Sequence, residues 1–226
     1  SLGLSLSKPT LSNSSSSHSS MNFLAHCVLA DHAASHWQTD PQTHQGLLAG
    51  AVIADFTKGP VNPTWPQSLQ AGVRLHRRID AFSNNQQAIK TTCDRFPANY
   101  RRYAPIFVDL LADYFLSLSW DSWHSEPRAV FSARCYAALT TFEGFLPAHG
   151  KRFLHYAQQQ DLFANYDQWE NIELGLGSVL RRLNKEDWFE EVNECAKSLQ
   201  TSAQPDFHLY FAELEQQLPD WRELLQ

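Results

Sequence analysis

Leu75-His76-Arg77-Arg78-Ile79-Asp80 is the stretch on which the reading of this chain turns. In a helix, residues four apart share a face. His76 and Asp80 then converge on one point, and Leu75 and Ile79 form an apolar stripe beside them. A second run, Ile106-Phe107-Val108-Asp109-Leu110-Leu111-Ala112-Asp113-Tyr114-Phe115-Leu116, repeats the spacing with the acids Asp109 and Asp113. Carboxylates are rarely buried among large apolar side chains unless they are paired or hold a cation. Both runs have helical periodicity, and alternating segments bounded by Asn-Gly or Asp-Gly are missing from the sequence.

Working outward, helices account for nearly all of the chain from Met21 onward. Phe23, Leu24, Cys27 and Leu29-Ala30 give a first amphipathic helix. Asp40-Pro41 is a start signal, an N-cap followed by proline at the first helical position. The helix it opens carries Gly46 and Gly50 on one face, where another helix has room to approach, and ends in Ala54-Asp55 before Gly59-Pro60. Asp55 sits at the negative end of that helix, where an acid does not help the helix itself, with Lys58 as a local counter-ion. A third helix is expected over 68–82. Ser83-Asn84-Asn85-Gln86 has the form of a capping box for a fourth. Further helices are expected over 106–118, 129–145, 151–163, 168–183, 186–199 and 206–218. The reading is one all-α, multi-helix domain over 21–226. Ahead of it, 1–20 is a serine-rich tract without an apolar core of the secretory type, expected to be a disordered tail or an upstream remnant, and Met21 reads as the natural start.

The chain has 226 residues, 43% hydrophobic and 12% aromatic, which suits one well-filled core. Its net charge of −6 argues against general nucleic-acid binding. Between Arg74 and Arg102, however, seven basic residues face only Asp80 and Asp94. Such a local basic face fits an acidic partner, unless its arginines pair with acids elsewhere in the chain. Cys27, Cys93, Cys135 and Cys195 are scattered, with no C-x-x-C pair, so a disulfide framework is not expected. No apolar run is long enough to span a bilayer. These features predict a cytoplasmic protein that neither inserts into a membrane nor binds nucleic acid.

Imidazole and carboxylate together suit Mn²⁺, Mg²⁺, Fe²⁺ or Zn²⁺, and the scattered cysteines argue against a closed thiolate site. Asp55, the His76–Asp80 pair and the Asp109–Asp113 pair together form the candidate set, and Arg77 or Arg78 would grip a phosphate. His26 is a possible ligand or proton carrier, and Asp109 either joins the site or pairs with an arginine behind it.

The motifs Met21-Asn22-Phe23-Leu24-Ala25-His26, Ala54-Asp55-Phe56 with Lys58-Gly59, and Gly72 followed by His76-Arg77-Arg78-Ile79-Asp80 occur in order. Arg101-Arg102-Tyr103-Ala104-Pro105-Ile106 with Asp109 and Asp113-Tyr114-Phe115-Leu116 continues the series. This order resembles the acyl carrier protein phosphodiesterases, closely from Met21 to about Trp120 and more thinly beyond. The resemblance implies an all-α fold similar to the HD-domain phosphohydrolases, and a Mn²⁺-dependent removal of 4′-phosphopantetheine from holo-acyl carrier protein. It implies Asp55, His76, Arg77 and Asp80 as catalytic residues, with Asp55, His76, Asp80 and Asp113 around the metal. His26, Asp109 and Tyr114 would stand behind them, and Arg74, Arg78 and Arg102 would meet the acidic carrier protein. Two positions depart from the family pattern. Tyr114 stands where a histidine is usual, and Ser83-Asn84 stands where Thr-Asp is usual. Two other readings therefore stay open: a hydrolase of another small phosphoester, and an impaired homologue that binds a carrier protein without cleaving it.

Overall fold

The computed structural model describes residues 22–226. Among these, ten α-helices and short 3-10 turns form one all-α domain, without strands. The helices are α1 (Phe23–His36), α2 (Pro41–Ile53), α3 (Gln67–Ser83), α4 (Gln87–Asp94) and α5 (Ala104–Leu118). They continue as α6 (Arg128–Thr141), α7 (Ala148–Gln160), α8 (Trp169–Arg182), α9 (Phe189–Ser198) and α10 (Gln200–Gln217). A 3-10 segment, Leu218–Leu225, closes the chain. The expected tail, 1–20, and Met21 lie outside the described residues. No helix among the described residues is long and apolar enough to cross a membrane. The four cysteines are free thiols.

Helix α1 is the central element. It is buried from Phe23 to Asp31 and again at Ala33 and Ala34, so its apolar character runs all the way round rather than along one stripe. Asp31 is a buried acid on this helix. It accepts hydrogen bonds from His44 Nε2 at 2.7 Å, His124 Nε2 at 3.1 Å and Arg134 Nη2 at 3.0 Å. One carboxylate thus ties α1 to α2, to α6 and to the loop between α5 and α6. Burial alone would raise its pKa, but the bonds from His124 and His44 and the charge of Arg134 hold it far below the usual carboxylate range.

Helix α2 begins where the sequence places it. Asp40 Oδ1 accepts from the backbone amides of Gln42 and Thr43, both at 3.0 Å. The glycine face then meets α3 backbone to backbone. A Cβ on Gly50 would lie 2.5 Å from Gly72 Cα, and a Cβ on Gly72 would lie 2.6 Å from the carbonyl oxygen of Gly46. Only a hydrogen fits at that crossing. The crossing brings the C-terminal end of α2, and the 3-10 turn Ala54–Phe56 that follows, against the middle of α3.

Two expected boundaries change. Ser83 does not open α4; it is the last residue of α3, and α4 has no side-chain cap. The Ser83 hydroxyl donates to the carbonyl of Ile79 at 2.7 Å and meets the Tyr210 hydroxyl at 2.7 Å, so a partner on α10 claims the group a capping box would use. Helix α10 starts at Gln200 rather than after Pro205. Pro205 is exposed and lies in the second turn, where the carbonyl left without its donor can be hydrated.

Gly50→Ala should therefore cost about 1–3 kcal/mol, as overpacking does elsewhere. Thermal unfolding should show a Tm lower by several degrees. Gly144→Ala is the control: a Cβ there has nothing within 4 Å, and the Tm should stay put.

Candidate metal centre

Two helices and one turn deliver the polar groups of the centre: α1 supplies His26, α3 supplies His76 and Asp80, and the turn after α2 supplies Asp55. His26 and His76 are buried and their rings stack, with centroids 3.9 Å apart. His26 Nδ1 lies 3.0 Å from the carbonyl oxygen of Asn22, and His76 Nδ1 lies 2.8 Å from that of Ala51. A carbonyl oxygen only accepts, so Nδ1 carries the hydrogen in both rings. Both Nε2 atoms then turn towards carboxylates. His26 Nε2 is 3.0 Å from Asp80 Oδ1, and His76 Nε2 is 3.2 Å from Asp80 Oδ2 and 3.5 Å from Asp55 Oδ1.

In a neutral ring of this tautomer, Nε2 is a lone pair. Lone pairs facing carboxylate oxygens at about 3 Å call for positive charge between them, supplied by protons or by a metal ion. Burial disfavours an imidazolium at His76, but the charges of Asp55 and Asp80 outweigh it and hold its pKa well above the ordinary value. Asp80 is pushed the other way: burial would raise it, and His26 and His76 pull it below the usual carboxylate range. Two protonated rings stacked face to face would repel each other, and a single ion shared by both avoids that. One ligand atom from each of His26, His76 and Asp80 lies within 4.8 Å of the others, as ligands of one ion require. A backbone carbonyl on the far nitrogen of each imidazole is the usual support of a metal-bound histidine. The residues fit a divalent cation. The side that opens to solvent is Asp80, at 35% side-chain exposure against 4% for Asp55 and 3% for His76.

The remaining predicted residues divide. Asp109 is half-buried on α5 and lies within electrostatic reach of the centre; burial first, then the charges of Asp80, Asp55 and Asp113, keep its pKa well above the usual value. It faces a small cavity shared with Asn22 and Tyr210 and is not paired with an arginine as the alternative expectation had it. Asp113 requires a correction. Its Oδ1 accepts the backbone amide of Ala25 at 2.8 Å and its Oδ2 that of Leu24 at 3.2 Å. It caps the N-terminus of α1 from 89 residues away and positions His26, in place of the expected ligand role. His26, expected behind the ligands, stands in the candidate group with His76 and Asp80.

Tyr114 is also reassigned. Its ring packs edge-on against Trp169 of α8 at 5.1 Å, at the α5–α8 interface. Asn84 is exposed at the C-cap of α3. Neither departure from the family pattern removes a group from the centre. The arginines separate as well. Arg74 Nε donates to the carbonyl of Leu224 at 3.0 Å, and Arg78 pairs with Glu223 at 3.3 Å and lies over Trp221. Arg95 pairs with Asp206 at 3.1 Å. Most of the expected docking face is thus spent on holding the C-terminal helices, which corrects the reading of Arg74 and Arg78 as partner contacts. Arg102 is exposed, over the ring of Tyr103, and Arg77 lines a groove beside the centre.

Comparison with known proteins identifies the family. The family model "Acyl carrier protein phosphodiesterase" matches residues 21–214. The chain belongs to the acyl carrier protein phosphodiesterase family. A relative of that name from Escherichia coli (strain K12 / DH10B) is 31% identical over 179 residues, covering 75% of this chain and 86% of the relative. Another, from Shigella boydii serotype 18, is 31% identical over 190 residues, covering 80% and 91%. No solved structure matches the chain. The family match covers all the residues that meet at the centre, His26, Asp55, His76 and Asp80.

Because Tyr114 faces α8, Tyr114→His should leave metal binding and turnover unchanged within about twofold and lower the Tm, through loss of the ring contact with Trp169. Titration calorimetry with Mn²⁺, together with a thermal melt, reads both.

Proposed function

We propose that this chain is a metal-dependent phosphodiesterase that hydrolyses the bond between 4′-phosphopantetheine and the serine of holo-acyl carrier protein. The observation that carries this reading is the pair of imidazoles whose bare Nε2 atoms share one carboxylate, Asp80, beside a second, Asp55. His26, His76 and Asp80 would hold the ion, with Asp55 adding charge next to His76. Two carboxylates and two imidazoles suit Mn²⁺, the cation expected here. When bound, such an ion lowers the pKa of a water and polarises a phosphoryl oxygen.

The chain's own groups do the rest. The two carbonyls on Nδ1 fix both rings, so the centre is organised before substrate arrives. Half-exposed Asp80 marks the side from which a phosphodiester enters. Arg77, rather than Arg78, is the guanidinium left to meet the phosphate, because Arg78 is engaged by Glu223. In hydrolysis the water oxygen bonds to phosphorus, the bond from phosphorus to the serine oxygen breaks, and the serine leaves with a proton. The names of the relatives favour a carrier protein over a small phosphoester. The impaired-homologue reading loses its basis, since Tyr114 and Asn84 both lie away from the centre.

Incubation with holo-acyl carrier protein and Mn²⁺, followed by mass spectrometry of the carrier, should show loss of the prosthetic group. A chelator should stop the reaction and added Mn²⁺ should restore it. Asp80→Asn should reduce turnover on the order of 100-fold or more while the helical circular dichroism signal is kept. Turnover insensitive to chelator would defeat the metal mechanism.

A further inference from the structure

Beside the centre, the loop after α2 and the turn before α7 bound a solvent-open groove of about 480 Å³. That is within the range of small-molecule sites. Its walls include Phe56, Trp65, Phe145 and Leu146, and its cations are Lys58 and Arg77. Trp65 and Phe145 stand edge to face with centroids 5.6 Å apart. Two segments carry residues of both the groove and the centre. Phe56 directly follows Asp55 in one 3-10 turn. On α3, Val73 and Arg77 line the groove, while His76 and Asp80, each three residues further on, line the centre. Residues three and four apart on a helix are neighbours, so these are adjacent stripes of one surface.

The cations mark the groove as more than a surface dent. Neither Lys58 nor Arg77 makes a hydrogen bond or ion pair among the described residues, whereas Arg74, Arg78 and Arg95 of the same basic run are all engaged. Lys58 was expected to offset Asp55, but Asp55 turns to His76 instead. Two uncommitted cations beside an aromatic and aliphatic wall, next to a candidate metal centre, complement a ligand with a charged phosphate at one end and an uncharged body.

We propose that this groove is the subsite for the phosphate-bearing arm: Lys58 and Arg77 hold the phosphate, and Trp65, Phe145 and Leu146 cover the uncharged, amide-bearing chain attached to it. The assignment rests on the function proposed above and adds to it. The arm is read as a ligand in its own right, separately from the carrier protein. Recognition is divided, with the phosphate end met by charge and the chain by aromatic surface.

Titration calorimetry on the full chain with Mn²⁺ tests this, using 4′-phosphopantetheine, pantetheine without phosphate, and inorganic phosphate as probes. 4′-Phosphopantetheine should bind at least about 10-fold more tightly than phosphate. Trp65→Ala should weaken it by about 10-fold, the scale of one aromatic contact, and leave phosphate and Mn²⁺ binding unchanged. Lys58→Gln, at an exposed loop position where folding is not at risk, should weaken 4′-phosphopantetheine and phosphate alike. If both variants bind 4′-phosphopantetheine as the wild type does, the assignment falls. If they instead raise only the KM for the holo-carrier, the groove docks the carrier protein and the assignment also falls. The two readings fail separately. Loss of 4′-phosphopantetheine binding in the variants upholds the groove even if holo-carrier is not cleaved, and cleavage with unaltered binding of the arm overturns the groove alone.

Discussion

The centre depends on a contact between two backbones. Gly50 and Gly72 meet with no side chain between them, and Gly46 makes room for the same approach one turn earlier. A helix pair ordinarily stands 8–10 Å apart, and small residues at the crossing are what let two helices come closer. Here that closeness puts the carbonyl of Ala51 within 2.8 Å of His76 Nδ1 and brings Asp55 to the other nitrogen of the same ring. A wider crossing would undo both contacts together. Packing and site chemistry are thus the same constraint, and a methyl group added at the crossing would be felt at His76.

The second constraint is electrostatic. Asp55, Asp80, Asp109 and Asp113 lie within electrostatic reach of one another in a mostly apolar interior, and burial and the neighbouring acids press on Asp109 and Asp113. Asp113 is relieved by two backbone amides, yet burial still pushes its pKa up. Asp109 has no comparable donor and is raised further by its acidic neighbours. Asp80 is held low against its own burial, because two imidazoles face it. This charge pattern is what the proposed cation would answer: negative potential concentrated at one point, with His26, His76 and Asp80 turned towards one another. A buried carboxylate cluster without a counter-charge would be a large cost to a domain whose stability is a small difference between large terms.

Much of this was legible in the chain because the relevant signals are local. The His76–Asp80 spacing, the Asp40-Pro41 start and the Gly46/Gly50 face each lie within a turn or two of helix, and each is found as expected. What was not legible depends on partners far away in sequence. Asp113 reads as a ligand until the amides of Leu24 and Ala25 claim both its oxygens. Arg74 and Arg78 read as a docking surface until Leu224 and Glu223 arrive from the other end of the chain. Tyr114 reads as a lost ligand until Trp169 is seen against it, and Ser83 as a cap until Tyr210 meets its hydroxyl. His26 is the converse case. The sequence offers it as a ligand or proton carrier behind the main set, and its contact with Asp80 is made only when α1 is laid against α3.

The central claim is that His26, His76 and Asp80 surround one divalent ion. Crystals grown with Mn²⁺ and measured near the manganese absorption edge test it most directly. The account predicts a single strong anomalous peak about 2.0–2.3 Å from His26 Nε2, His76 Nε2 and an oxygen of Asp80, with the Nδ1–carbonyl contacts to Asn22 and Ala51 kept. A peak bound elsewhere, or His26 and His76 still bonded directly to Asp80 with no peak between them at saturating Mn²⁺, would contradict it.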